Sequence, residues 1–260
     1  MNTNTYTEVK NSLALFELSD KLLFLINLFK DNRFPNILML TGKKGIGKST
    51  LINHFVTYMF DSKNYDLKNN IINNKSHFYK QYSNNIFPDI IYLDGSNYKN
   101  VKVDDIRNLK KAIFKTSLSS KFRFIILDDI ELFNTSSLNA LLKVIEEPPQ
   151  NNYFILINNK TKPVLQTIHS RSIEISISLT NNMRENIIKT LIKNNNLQML
   201  IDHKISDLTP GNFLLFNDIC TQNKIDINGD YSKIIENLLM IYKKNKDMNI
   251  INFILFLTEF

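Results

Sequence analysis

The stretch from Asn36 to Thr50 constrains this chain more than any other. It reads Asn-Ile-Leu-Met-Leu-Thr-Gly-Lys-Lys-Gly-Ile-Gly-Lys-Ser-Thr. Ile37 to Leu40 form a short apolar run of the kind found in a strand buried on both faces. Leu51, Ile52, Phe55, Val56 and Met59 then follow at helical spacing. Between the two lies Gly42-x-x-x-x-Gly47-Lys48-Ser49, a phosphate-binding loop in the strand-then-helix context the motif requires. Gly42, Gly45 and Gly47 let the backbone turn tightly enough to aim successive N–H groups at phosphate oxygens. The helix beginning near Lys48 adds its positive dipole end. Lys48 is placed to meet the β- and γ-phosphates and Ser49 to ligate Mg²⁺. Lys43, Lys44, Ile46 and Thr50 complete the set expected at the nucleotide, which is ATP or ADP with Mg. A glycine-rich strand-to-helix turn can be purely structural, but the Lys48-Ser49 pair in this setting favours a nucleotide.

Three further apolar runs share the character of the first. Asp89 to Leu93, Phe122 to Leu127 and Tyr153 to Ile157 read as strands, the third run of the chain ending at Asp128-Asp129 and the fourth at Asn158. Helical patterns over Val103 to Phe114 and from Thr135 to the stop at Pro148-Pro149 alternate with them. Asp104 and Asp105 fall in the first turn of one, where acids suit the helix dipole. Ser12 to Phe29 suits one or two amphipathic helices. Continuous apolar strands alternating with helices predict an α/β fold, a parallel sheet covered on both faces. Ligands in such sheets bind at the carboxyl ends of the strands. Lys48, Asp128 and Asn158 all follow strand ends, so one pocket is expected to collect them. From Asn181 onward the character turns helical, over Met183 to Ile192, Gly211 to Cys220, Ile234 to Tyr242 and Asn249 to Leu257. Pro210-Gly211 and Asn228-Gly229 read as turns between them.

Asp61 to Phe87 has weak periodicity and repeated Asn, Lys and Tyr. Lys63, Tyr65, Lys75, Tyr79, Lys80 and Tyr82 could contact nucleic acid by charge and stacking. A solvated surface insert is the preferred expectation. The 260 residues are 43% hydrophobic, enough for one ordinary domain and one or two small ones. The net charge of +7 favours an anionic partner weakly, since the composition, rich in Asn, Ile and Lys, carries a general basic bias. One cysteine, Cys220, excludes an internal disulfide and a multi-cysteine zinc site, and points to a reducing compartment. No apolar stretch approaches a membrane span, and Met1 to Lys10 lacks the order of a signal peptide. A soluble cytoplasmic protein without membrane contact is expected.

An apolar strand running into Asp128-Asp129 is the setting of a Walker B element, in which the first acid holds Mg²⁺ and the second polarises water. Asp128 alone would equally serve as a helix cap; paired with the phosphate loop about eighty residues earlier it favours the metal. The run from Asp128 through Asn139-Ala-Leu-Leu-Lys143-Val-Ile-Glu146-Glu147-Pro148-Pro149 resembles the bacterial DNA polymerase III clamp-loader subunits, members of the AAA+ family. Thr167-Ile-His-Ser-Arg171-Ser172 is similar to their Ser-Arg-Cys element, with Ser172 in place of the cysteine. The resemblance extends from about Asn36 to Ile175 and more loosely beyond.

It implies an AAA+ P-loop module over residues 1–177, a helical lid over 178–226 and a reduced C-terminal collar over 227–260. Among these subunits the delta-prime type fits best. The zinc module of the gamma/tau type has no cysteines here, so no zinc is expected; Asp129 stands where that type has a longer Glu; and Asn212 stands where a lid arginine is expected. Asn158 falls at the sensor position. The resemblance makes Arg171 an arginine finger acting in trans on a neighbouring ATPase site, against the plainer expectation of a surface arginine paired with Glu174. The implied role is in ATP-dependent loading of the sliding clamp on primed DNA during replication, beside delta and gamma/tau subunits, with the chain's own ATPase weak or absent. The alternatives are a gamma/tau-like motor ATPase and an AAA+ helicase loader.

Overall fold

The computed structural model describes residues 13–95, 101–114, 122–195, 197, 201–202, 208–227 and 230–258. The chain divides into two compact units, Met1–Ser178 and Leu179–Phe260. The first contains α1 (Ser19–Lys30), β1 (Ile37–Thr41), α2 (Lys48–Asp61), β2 (Tyr65–Asp66), β3 (Ile71–Ile72), α3 (His77–Ser83) and β4 (Ile90–Asp94). It continues with α4 (Val103–Ile113), β5 (Arg123–Asp128), α5 (Thr135–Ile145), β6 (Asn152–Asn158), α6 (Gln166–His169) and β7 (Ile173–Ser176). β4, β5, β6, β1 and β7, in that order, make one five-stranded sheet in which every pairing is parallel.

The expected sheet is therefore present, and its order explains the apolar runs. β1 and β5 are buried along their whole length because each has a strand on both sides and helices on both faces. Met39, Ile125, Leu127, Phe154 and Leu156 point to a core shared with α4, α5 and Ile168 of α6. On the opposite face Phe124 joins Phe55 of α2 and Phe29 of α1 in an aromatic cluster, with centroids 5.3 and 5.5 Å from Phe124. The caps follow the sequence signals. The Asn134 side chain accepts from Ser137 N at 2.8 Å at the start of α5, and the Asp105 carboxylate accepts from Lys102 N at 2.8 Å at the start of α4.

Two parts of the unit depart from expectation. β7 is not legible as a strand; it is four residues, Ile-Glu-Ile-Ser, at the sheet edge, with one hydrogen-bonded neighbour. The larger correction concerns Asp61 to Phe87, which is folded rather than a solvated insert. β2 and β3 form a short hairpin, and Ala14 bridges to Ile71 so that the segment before α1 is tied to it. α3 is capped by Ser76 and buries Phe78, Tyr79 and Tyr82. Phe60, Phe78 and Phe87 pack ring on ring, with Phe60 also against Phe122. Tyr65, Tyr79 and Tyr82 are buried and offer no ring face for a base to stack on, so the stacking expectation fails.

The second unit holds α7 (Asn181–Asn195), α8 (Pro210–Asn223), α9 (Tyr231–Asn245) and α10 (Met248–Thr258). Leu208, Phe213, Phe216, Cys220, Leu238 and Phe253 share one apolar cluster, so segments 178–226 and 227–260 pack on a common core. Pro210-Gly211, read as a turn, instead opens α8, with Pro210 in the first helical turn and the Thr209 side chain capping it. Asn228-Gly229 lies outside the described residues.

Candidate nucleotide site

The phosphate loop joins β1 to α2 across the carboxyl edge of the sheet. Gly42 sits where a Cβ would overlap the Ile177 carbonyl oxygen and the Ile46 side chain, so no larger residue fits. Gly47 caps α2 in the left-handed region, with φ of 97°, and no side chain caps the helix start. The positive end of the α2 dipole and the loop backbone thus face the position an anion would take. The Gly42 N–H donates to the Asn158 carbonyl at 3.2 Å, which anchors the loop to the end of β6.

Lys48 is only 3% exposed. Its ammonium donates to the carbonyls of Gly42 at 2.7 Å and Lys43 at 2.8 Å, closing the loop on itself. Burial lowers its pKa to about 8, against the opposing pull of Asp128, Glu131 and Asp129. The Ser49 hydroxyl donates to Asp128 Oδ2 at 2.7 Å, so the two expected magnesium ligands are adjacent. Tyr92, from β4, donates its phenol to the same oxygen at 2.5 Å, and Asp129 N–H donates to Asp128 Oδ1 at 2.9 Å. Burial raises Asp128 to about 6, and the neighbouring Asp129 charge adds to it, while the bonds from Tyr92 and Ser49 oppose the rise.

Asp129 adopts a left-handed backbone, φ of 50°, which turns its side chain back across the sheet edge. Lys44 Nζ meets its Oδ2 at 3.2 Å, and the Asn159 side-chain amide donates to its Oδ1. Asn158, the expected sensor, accepts from Lys160 N at 2.8 Å and so shapes its own turn; its neighbour Asn159 is the one that reaches an acid. Glu131 is a further member. It is 5% exposed and accepts from Asn159 N at 3.0 Å and from Thr161 Oγ1 at 2.9 Å. Tyr92, Glu131 and Asn159 were all missed in the sequence. Tyr92 and Glu131 carry no motif, and Asn159 was hidden by the ambiguity of where a strand ends.

The donor set fits a magnesium nucleotide. An uncapped helix start and a lysine satisfied only by backbone carbonyls suit phosphates, and a hydroxyl beside a carboxylate suits a hard cation. Lys48, the loop N–H groups and the first turn of α2 would hold the phosphates, with Ser49 and Asp128 at the metal. Bound magnesium supplies charge neutralisation and polarisation of phosphoryl oxygens.

Arg171 lies at the opposite edge. It lines a depression with Pro35, Asn36 and Ile37, at the amino end of β1, together with Glu146 and Pro148. A five-residue strand is roughly 15 Å long, which separates the guanidinium from the loop of its own chain. Arg171 pairs with Glu146 at 2.9 Å and donates to the Thr167 carbonyl at 3.0 Å. The expected alternative partner, Glu174, instead accepts from Thr41 Oγ1 at 2.6 Å and faces His169 at 3.5 Å.

Comparison with known proteins bears on this arrangement. The family model described as "DNA polymerase III, delta subunit" matches residues 19–181. The chain is 28% identical over 200 residues to DNA polymerase III subunit delta' of Buchnera aphidicola subsp. Baizongia pistaciae, covering 71% of this chain and 58% of that one. It is 26% identical over 162 residues to DNA polymerase III subunit gamma of Buchnera aphidicola subsp. Acyrthosiphon pisum, covering 61% and 42%. It thus spans about half the length of the curated relatives it matches. Among solved structures, a DNA polymerase III gamma subunit-related protein from Thermotoga maritima aligns over 84% of this chain and 62% of that one, at 18% identity and a TM-score of 0.49.

Proposed function

Because the chain belongs to the DNA polymerase III delta-subunit family, we propose that it is a delta-prime-type subunit of the clamp loader, one that holds a nucleotide and lends Arg171 to a neighbour. In this role it joins delta and gamma/tau subunits to open the sliding clamp and place it on primed DNA. The observation that carries the proposal is the separation of the two chemistries in one unit. A complete phosphate loop occupies the carboxyl edge of the sheet, while Arg171 stands exposed at the amino edge, out of reach of it.

The acids at the phosphate edge support holding over turnover. Asp129, the candidate second acid, has one oxygen on Lys44 and the other on Asn159, and both partners draw its charge toward themselves and weaken its pull on a water. Its side chain is also one methylene shorter than Glu, and displacements on the order of 1 Å cost about a hundredfold in rate. An arginine inserted at a neighbour's γ-phosphate stabilises the charge that develops there, worth about 10³ to 10⁵ in rate in P-loop switches. A gamma/tau-like motor is the second hypothesis, favoured by the intact Lys48-Ser49 pair.

Nucleotide affinity and turnover of the isolated protein, beside Lys48→Ala, test the first half. Binding lost in the variant with negligible turnover in the wild type is expected; turnover abolished by the substitution would favour the motor. The second half is tested in the reconstituted complex. Arg171→Ala is expected to abolish ring-stimulated ATPase with assembly intact, and unchanged activity would remove the finger role.

A further inference from the structure

Asp128, Asp129 and Glu131, three of the acids at the carboxyl edge, differ in one respect that bears on ligand binding. Every carboxylate oxygen of Asp128 and Asp129 already accepts from the protein: Asp129 N–H, Ser49 and Tyr92 on Asp128, Asn159 and Lys44 on Asp129. Glu131 does not follow this pattern. Its Oε1 accepts from Asn159 N and Thr161 Oγ1, whereas its Oε2 is buried with no partner among the described residues. A buried acceptor left unpaired is destabilising, and a carboxylate oxygen in that state calls for a partner.

Position adds to the case. Glu131 lies in the single turn of 3₁₀ helix, Ile130 to Leu132, that follows Asp129, and its bonds pull the loop after β6 onto that turn. Those bonds set Asn159, whose amide reaches Asp129. Glu131 also acts on Lys48: its charge opposes the lowering of the lysine pKa, second only to Asp128 and ahead of Asp129. The free oxygen therefore belongs to an acid inside the electrostatic field of the phosphate-binding lysine.

We propose that Glu131 is a third acid of the nucleotide site, its Oε2 kept open to accept a proton donor that arrives with the magnesium nucleotide, a water of the metal shell. This rests on the nucleotide-holding role proposed above. Oε1 does the positioning and Oε2 does the binding.

The two oxygens are separable by substitution in the full chain. Glu131→Gln keeps a carbonyl for Asn159 N and Thr161 Oγ1 and places an NH₂ where Oε2 stands, so it removes the acceptor without removing the staple. Glu131→Ala removes both. Binding of a fluorescent ATP analogue is measured with and without MgCl₂, beside thermal melts of each protein. Glu131→Gln is expected to melt at or above the wild-type temperature while its magnesium-dependent affinity falls by about tenfold, ~1.4 kcal/mol, the order of one bond to a charged acceptor. Its affinity for the analogue without magnesium should change little. Glu131→Ala is expected to lose both stability and affinity. If Glu131→Gln binds with wild-type magnesium dependence, Glu131 is a structural staple and the proposal fails. If the wild-type protein binds no nucleotide at all, the holding role itself falls, a result distinct from the first.

Discussion

Tyr79 and Tyr82 stand three residues apart on α3, both buried, and the same substitution should act on them with opposite sign. The Tyr82 hydroxyl donates to Asn53 Oδ1 at 2.7 Å, and Asn53 lies on α2, five residues beyond Lys48. Removing it leaves a buried amide oxygen without that donor, at a cost of about 1–3 kcal/mol. For a protein of this size that is roughly a 2–4 °C fall in Tm for each kcal/mol. The Tyr79 hydroxyl is buried with no partner among the described residues, so Tyr79→Phe removes a desolvated polar atom and is expected to be neutral or stabilising by up to about 1 kcal/mol. Burial pushes the Tyr79 phenol up to about 12 from its ordinary value of 10. Above pH 10 the unfolded chain loses that proton while the folded chain keeps it, so stability falls between about pH 10 and 12. Tyr79→Phe should remove part of that fall. The assay is thermal and urea unfolding of each single variant, at pH 7.5 and again above pH 10. Equal costs for the two substitutions would refute the hydrogen-bond assignment. No effect from either would mean that residues 61–87 do not pack on the nucleotide-binding unit.

Gly42→Ala forces a Cβ onto the Ile177 carbonyl at the root of the phosphate loop, so lowered Tm and loss of nucleotide binding are expected, by melting and by analogue fluorescence. Asp128 gives a pH signature. Its pKa is near 6 when folded and 3.8 otherwise, so between those values the folded state holds a proton that the unfolded state has lost. Stability should therefore fall as pH rises from about 4 to 6, by at most ~3 kcal/mol. The difference between wild-type and Asp128→Asn stability curves isolates this group, and a flat difference over that window would exclude the burial effect.

The sheet and its phosphate loop were readable because their constraints are local. A strand covered on both faces shows as an unbroken apolar run, and a phosphate turn shows as glycines at fixed spacing before Lys48. Residues 61–87 were not readable for the opposite reason. Their helix is seven residues and their strands two, too short for periodicity, and they fold by aromatic contacts with distant residues such as Phe122. Tyr in a polar stretch looks solvated until the partner of its hydroxyl is known, as with Tyr65 against His54 at 2.8 Å. Asp128 and Lys48 were visible through motif; Tyr92 and Glu131, at the same site, depend on which strand lies beside which, β4 beside β5 for Tyr92 and β6 beside β5 for Glu131.

That dependence also bears on the proposed pairing of a sound phosphate loop with a weakened second acid. Binding phosphates requires the loop glycines, Lys48 and the start of α2, all within one contiguous stretch. Orienting a water requires an acid with a lone pair aimed at that water, and each neighbour that donates to the acid turns it elsewhere and weakens its pull. At Asp129 two neighbours do donate, Lys44 from the phosphate loop and Asn159 from the loop after β6. The first function is local and robust, whereas the second depends on three separate loops and is easily lost. On the proposed reading, in which Arg171 at the opposite edge is the chain's contribution to hydrolysis, the second can be lost while the first is kept. The bound nucleotide would then serve to order the carboxyl edge. Selective loss of turnover, with the loop intact, is the pattern these contacts favour.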